Sequence, residues 1–196
     1  MAKLLYQGHG SLRITSEAGQ VLYIDPYCGS GYELPADWVL VSHEHGDHNR
    51  LDLLIMQEHT RVLRAADLLK DGVYGCVEAD GIRVQAVQAY NKNHDRNACV
   101  GFVLRLDGVS LYIAGDTSTT EQMSEMASWG LDYALLPMDG KYNMDVEEAM
   151  ACAKQIAAKH SIPYHMIPGG LFDQRIAESF AVPGRIILKP GEELQL

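Results

Sequence analysis

Two short apolar runs near the start of the chain, Leu12-Arg13-Ile14-Thr15 and Val21-Leu22-Tyr23-Ile24, flank the polar stretch Glu17-Ala18-Gly19-Gln20. That spacing predicts a β-hairpin. A second pair, Val100–Leu106 and Val109–Ala114, is joined by Asp107-Gly108, a dipeptide that supplies the positive backbone angles of a tight turn. Between the hairpins the pattern predicts a strand at Trp38–Ser42, a helix from about Arg50 to His59 and a strand at Arg61–Arg64. A short helix near Asp67–Lys70 and strands over Val73–Val77 and Ile82–Gln88 follow. Further on, Val146, Ala149, Met150, Ala153, Ile156 and Ala157 recur at helical spacing, and Asp145 with Glu148 has the form of a capping box. Strands at Leu131–Leu136 and Tyr164–Ile167 flank that helix, and a helix near Gln174–Ala181 precedes a last strand at Arg185–Leu188. Hairpins first and strand–helix alternation later predict an α/β fold in which two sheets pack together with helices on their outer faces.

The chain has 196 residues, 47% of them hydrophobic, enough for one substantial core and no more than one domain, residues 1–196. No internal repeat, low-complexity tract or Pro/Gly/Ser-rich linker divides it. Charge narrows the partners. With 26 acidic against 16 basic residues the net charge is −10, and the lysines and arginines are scattered singly, so nucleic acid and anionic membranes are not expected as partners. The start, Met1 to His9, turns polar before an apolar signal region develops, and no segment approaches the apolar run that crosses a bilayer, so a cytoplasmic location is expected. Cys28, Cys76, Cys99 and Cys152 form no CxxC pair and are expected to be reduced, buried, apolar positions.

One segment carries chemistry. The apolar strand Trp38–Ser42 runs into His43-Glu44-His45-Gly46-Asp47-His48, so a buried strand delivers three histidines and a carboxylate into a turn expected to open a helix. Neutral imidazole and carboxylate are preferred ligands of zinc and similar divalent ions. Gly46 is expected to let the turn bend tightly. His59 and His160 are expected to end helices, where positive charge complements the helix dipole. No GxSxG elbow or GxxxxGK loop is present to support a serine nucleophile or nucleotide chemistry.

The His-x-His-x-Asp-His run resembles the signature of the metallo-β-lactamase superfamily of metal-dependent hydrolases, and the resemblance covers nearly the whole chain. Gly8-His9-Gly10-Ser11 and Ile24-Asp25-Pro26-Tyr27 resemble the opening of its ascorbate-6-phosphate lactonase-like branch. Ala114-Gly115-Asp116-Thr117 resembles the segment with the bridging aspartate, and Ile162-Pro163-Tyr164-His165-Met166 the segment with the last histidine. The resemblance implies a four-layer αββα sandwich of two mixed β-sheets. It implies two divalent ions, zinc or manganese, with His43, His45 and a third histidine on one, Asp47, His48 and His165 on the other, and Asp116 bridging them. The third histidine falls in the polar loop Ala89–Asp95, where His94 is the choice and Asn91 or His9 the alternatives. His9 is implied near substrate or behind a ligand, and Asp25 behind a ligand histidine.

Two divalent ions can hold a bridging hydroxide at neutral pH and polarise the oxygen it attacks, which implies hydrolysis of a small ester, lactone or phosphodiester with Asp47 and Asp116 at the reacting centre. Asp139 and Asn143 depart from the small or hydroxyl residues commoner in the family. Two alternatives remain open. A diiron oxidoreductase on this fold carries an acidic residue where this chain has His45, and a non-catalytic metal-binding or ligand-sensing protein would need no complete ligand set.

Overall fold

The first hairpin forms where its pattern places it, between β2 (Ser11–Thr15) and β3 (Val21–Ile24), with Gly19 at φ +86° in the turn. The computed structural model describes residues 1–196 and adds β1 (Lys3–Gly8) before the hairpin and β4 (Pro35–Val41) and β5 (Ile55–Arg64) after it. Then come α1 (Ala65–Leu68), β6 (Leu69–Lys70), β7 (Val73–Tyr74), β8 (Cys76–Ala79), β9 (Ile82–Gln88), β10 (Val100–Leu106) and β11 (Val109–Ile113). The chain finishes with α2 (Met123–Met126), β12 (Tyr133–Pro137), α3 (Val146–Ile156), β13 (His160–Tyr164), α4 (Gln174–Ser179) and β14 (Glu193–Gln195).

Two mixed six-stranded sheets result, ordered β14-β1-β2-β3-β4-β5 and β13-β12-β11-β10-β9-β8. In each, an antiparallel half is followed by strands that run parallel: β3, β4 and β5 in the first, β11, β12 and β13 in the second. Alternate residues of the first sheet, such as Leu12 and Ile14, Leu22 and Ile24, Trp38 and Leu40, meet Val84, Phe102, Leu104 and Ile113 of the second in a 26-residue buried core. Period-two burial of this kind fixes the register, because a one-residue slip would turn every one of these side chains outward. Behind the second sheet, Met123 and Met126 of α2, Cys152 and Ile156 of α3 and Ala177 of α4 pack on Val103, Tyr112 and Leu136.

The first sheet is covered differently. Its outer residues Val21, Tyr23, Val39 and Val41 are capped by Tyr32, Leu34 and Leu51 from loops, not by a long helix. The helix expected from Arg50 to His59 is a single 3-10 turn, Leu51–Leu53, and β5 begins at Ile55. Backbone pairing of β5 with β4, from Pro35↔Ile55 to Val41↔Arg64, outweighs the helical propensity of that polar stretch. His59 therefore sits in a strand, hydrogen-bonded to Asp37 at 3.1 Å, and His160 starts β13 instead of ending a helix.

Three further boundaries differ. The strand expected at Tyr164–Ile167 lies at His160–Tyr164, and Pro163 is tolerated there because β13 is an edge. Arg185–Leu188 makes only one bridge, Ser161↔Arg185, between Pro183 and Pro190, and the last strand is β14 on β1. In α3, Asp145 accepts from the Glu148 amide at 2.8 Å, but the Glu148 carboxylate turns to Thr119, so only half of the capping box forms. Cys99 and Cys152 are buried as expected, Cys28 only partly so, and Cys76 is exposed on the edge strand β8.

Candidate metal centre

Strand ends build the site. His9 follows β1, Asp25 follows β3, Ser42 and His43 follow β4, His94 lies in the loop between β9 and β10, Asp116 follows β11 and His165 follows β13. These ends converge at one rim of the sandwich, where the parallel strands of both sheets present their carboxyl ends, the usual place for a ligand crevice in such sheets. Three of the residues, His9, Asp25 and His165, have φ of +54°, +47° and +46°. Left-handed geometry at non-glycine residues costs on the order of 1 kcal/mol or more each and persists only where surrounding contacts over-determine it. Here backbone bonds hold it: the His165 amide donates to the His9 carbonyl at 2.9 Å, and the Asp25 amide to Leu40 at 2.9 Å.

Asp116 is the centre of the cluster. Its carboxylate lies 3.3 Å from His48 Nε2, 3.3 Å from His94 Nε2 and 3.4 Å from His165 Nε2. His43, His48, His94, His165 and Asp116 are all buried, while Asp47 is half-buried and His45 exposed. Three sets of donor atoms lie within 4.8 Å of one another: His43, His45 and His94; His9, Asp47, His48 and His165; and His43, His48 and Asp116. The structure therefore brings every predicted site residue into one cluster, with Asn91 beside it.

The outer nitrogens are tied down one by one. Asp25 accepts from the Ser42 amide at 2.7 Å, the Ser42 hydroxyl at 2.7 Å and His48 Nδ1 at 2.9 Å. Because the Ser42 hydroxyl proton is committed to Asp25, Ser42 Oγ must accept from His43 Nδ1, 2.9 Å away. His94 Nδ1 donates to Asn91 Oδ1 at 2.9 Å, and His165 Nδ1 stands 3.2 Å from Asp139 Oδ2. His43, His48 and His94 thus carry a proton on the outside and turn Nε2 inward, the wiring that orients metal-bound histidine, while His165 Nδ1 faces Asp139 without a hydrogen bond. Inside, His43 Nε2, His48 Nε2, His165 Nε2 and Asp116 Oδ1 are buried without a hydrogen-bond partner. Unpaired buried polar atoms are costly, and a divalent cation is what four of them facing one another fit.

The electrostatics follow from that geometry. Burial, with the neighbouring His48 charge, pushes His43 down to about 2. Burial opposes protonation of His48 too, but Asp116 and Asp25 outweigh it and raise His48 to about 9. Burial would raise Asp116, yet His48 and His165 hold it well below the carboxylate range. Asp139, also partly buried, is drawn down to about 2 by His165 and the amides of Tyr142 and Lys141.

A cleft of about 400 Å³ opens over the cluster, lined by His45, Asp47, Asn93, His94, Asp116, Tyr142, His165, Pro168 and Gly169. His9 is fully buried and lies outside this wall. Gly46 has no positive φ, and a Cβ there would meet nothing within 4 Å, so the turn does not depend on glycine. Gly10 matters more: a Cβ there would come within 3.0 Å of the His48 ring and 3.4 Å of the His165 ring. Asp139, Ser42 and Asn93 escaped the sequence as site residues, since their spacing matches no ligand motif and only the fold brings them in. A larger depression of about 590 Å³, at the Asp107-Gly108 end of β11, mixes Arg83, Arg105 and Lys159 with Glu78, Asp107 and Asp132 and gathers no histidine.

A beta-lactamase superfamily domain matches residues 3–165. A UPF0173 metal-dependent hydrolase from Pyrococcus furiosus is 30% identical over 231 aligned positions, covering 100% of both chains. Another from Methanoregula boonei is 34% identical over 181 positions, 83% of this chain and 81% of its own. Among solved structures, the metallo hydrolase Igni18 from Ignicoccus hospitalis has the same fold, with a TM-score of 0.78 at 21% identity over 98% of this chain and 97% of its own.

Proposed function

The chain belongs to the metallo-β-lactamase superfamily and, within it, to the UPF0173 metal-dependent hydrolases, and on that premise we propose that it hydrolyses a small ester, lactone or phosphodiester at a dinuclear centre. His43, His45 and His94 would hold one ion, Asp47, His48 and His165 the other, and Asp116 would lie between them. The observation that carries this is the set of buried, partnerless inward atoms around Asp116, with the outer nitrogens of His43 and His48 already hydrogen-bonded. Imidazole-rich donors with two carboxylates suit zinc, with manganese as the alternative. Two such ions, when bound, would ionise a water at neutral pH and polarise the substrate oxygen.

The remaining chemistry belongs to side chains. Asp116 is anionic and buried among His48, His94 and His165, so it fixes the spacing of histidines from both sheets. Asp47 and Asp116 both reach the cleft, and their carboxylate oxygens are the groups placed to take the proton of the attacking water or pass it to the leaving group. Asn93 and Tyr142 add an amide and a phenol to the cleft lining, suited to orienting a small polar substrate. Neither lysine nor arginine lines the cleft, which favours an uncharged ester or lactone over a phosphodiester. The partner is then a small molecule. The net charge of −10 speaks against nucleic acid, and no helix is long and apolar enough to cross a membrane, in keeping with a cytoplasmic enzyme.

Purified protein reconstituted with zinc or manganese, assayed on lactone, ester and phosphodiester panels with its metal content measured, tests this proposal. Expected are two equivalents of metal and turnover of a lactone or ester that Asp116→Asn abolishes. A single equivalent would overturn the dinuclear centre. Tight small-molecule binding with no turnover on any panel would overturn hydrolysis in favour of ligand sensing.

A further inference from the structure

His9 is wired like the histidines of the metal centre, although the cleft does not reach it. Its Nδ1 lies 2.9 Å from the Gly170 carbonyl oxygen. A carbonyl only accepts, so Nδ1 carries the proton, and in the neutral ring the lone pair falls on Nε2. That nitrogen faces Asp47 Oδ2 at 3.3 Å. A positive centre between this nitrogen and the carboxylate would be held by both, in place of the proton that otherwise links them.

The neighbours indicate what that centre is. His9 Nε2 falls in the group whose other donors come from Asp47, His48 and His165, all within 4.8 Å of one another. The His9 ring packs on His165 with centroids 3.8 Å apart. The backbone is held as firmly as the ring. At φ +54° the residue is pinned by its amide on the Leu171 carbonyl at 2.8 Å, and by Tyr6 Oη at 3.0 Å and the His165 amide at 2.9 Å on its own carbonyl. Such over-determination of a strained position is expected where orientation of the side chain matters.

We infer that His9 is a direct ligand of the second ion, joining Asp47, His48 and His165 through Nε2, and is not a substrate contact. This rests on the dinuclear reading above. The inference makes the two halves of the centre unequal. The first is served by His43, His45 and His94, whereas the second gains a fourth side chain besides the shared Asp116.

Two measurements test it without reference to turnover. In wild-type protein with ¹⁵N-labelled histidine, side-chain NMR before and after zinc addition should show His9 Nε2 moving to the metal-bound range while Nδ1 stays protonated. If the Nε2 signals of His48 and His165 move and that of His9 does not, the inference fails while the metal centre stands. If none of them moves, the centre itself fails. The second measurement is calorimetric titration and cobalt absorption of His9→Asn, chosen because asparagine tolerates a positive φ. Expected are a second-site affinity at least tenfold weaker, an altered cobalt spectrum and a first binding event unchanged from wild type. Unchanged affinities and spectrum in a folded variant would overturn the inference and leave His9 as a hydrogen-bond partner of Asp47 alone.

Discussion

Asp25 touches no cleft, yet it holds two of the histidines proposed as ligands: His48 directly at 2.9 Å, and His43 through Ser42. Asp25→Asn keeps the shape but replaces a charged acceptor by an amide that cannot serve three donors equally. Second-site metal affinity should fall by roughly 10–100-fold, measured by chelator competition. The state of His48 adds a pH effect. With its metal-free value raised to about 9, a metal arriving below that pH must displace a proton. Apparent affinity should therefore weaken as pH falls below about 9, by up to about tenfold per unit, and titrations in buffers of different ionisation enthalpy should show proton release. A pH-independent affinity between 6 and 9 would contradict the pairing with Asp25 and Asp116. Glycines separate by the same logic. Gly10→Ala should crowd His48 and His165 and weaken metal binding, whereas Gly46→Ala, with open space at its Cβ, should bind as wild type. At this scale the HxHxDH run was legible as a candidate site because its residues are contiguous, while the ties to Asn91, Ser42 and Asp139 were not, since hydrogen-bond partners leave no spacing pattern. Asp139 shows this plainly: it stood out only as a departure from the family, and the fold reveals it beside His165 Nδ1.

Elements were legible where pattern and pairing agree. The Asp107-Gly108 hairpin has φ of +51° and +78°, the backbone that its dipeptide predicts, and the apolar stripe of α3 faces the second sheet as its spacing requires. They were not legible where partners decide. Residues 55–64 become a strand because β4 offers a parallel edge, and β13 lies earlier than its apolar residues suggest because an edge strand accepts Pro163. Helix α3 also permits a clean separation of stability from function. Asp145 caps its first turn through the Glu148 amide at 2.8 Å and touches no ligand. Asp145→Ala should therefore cost about 1 kcal/mol of unfolding free energy in denaturant titration. Metal affinity should stay at the wild-type value, because no strand end that carries a ligand moves.

The whole molecule is two sheets joined by a buried apolar core, with one rim where the joint is polar. His9, His43, His45, Asp47 and His48 come from the first sheet, and His94, Asp116 and His165 from the second. In the metal-free state that rim pairs Asp25 and Asp116 with a protonated His48 and leaves other inward atoms without a hydrogen-bond partner. Ions bound there would tie one sheet to the other, and since an unfolded chain gathers no such donor set, their binding energy becomes folding energy. With free metal about a thousandfold above its dissociation constant the gain is about 4 kcal/mol. For a chain of this size each kcal/mol is worth roughly 2–4 °C, so the melting temperature should rise by about 8–16 °C on loading and fall back with chelator. His94→Ala and His48→Ala should each lose part of that rise, because each unhooks a ligand from a different sheet. A melting temperature indifferent to zinc, manganese and chelator would mean that the apolar core alone holds the sheets and that the rim binds no ion strongly, which would undo the metal centre and the hydrolytic proposal together.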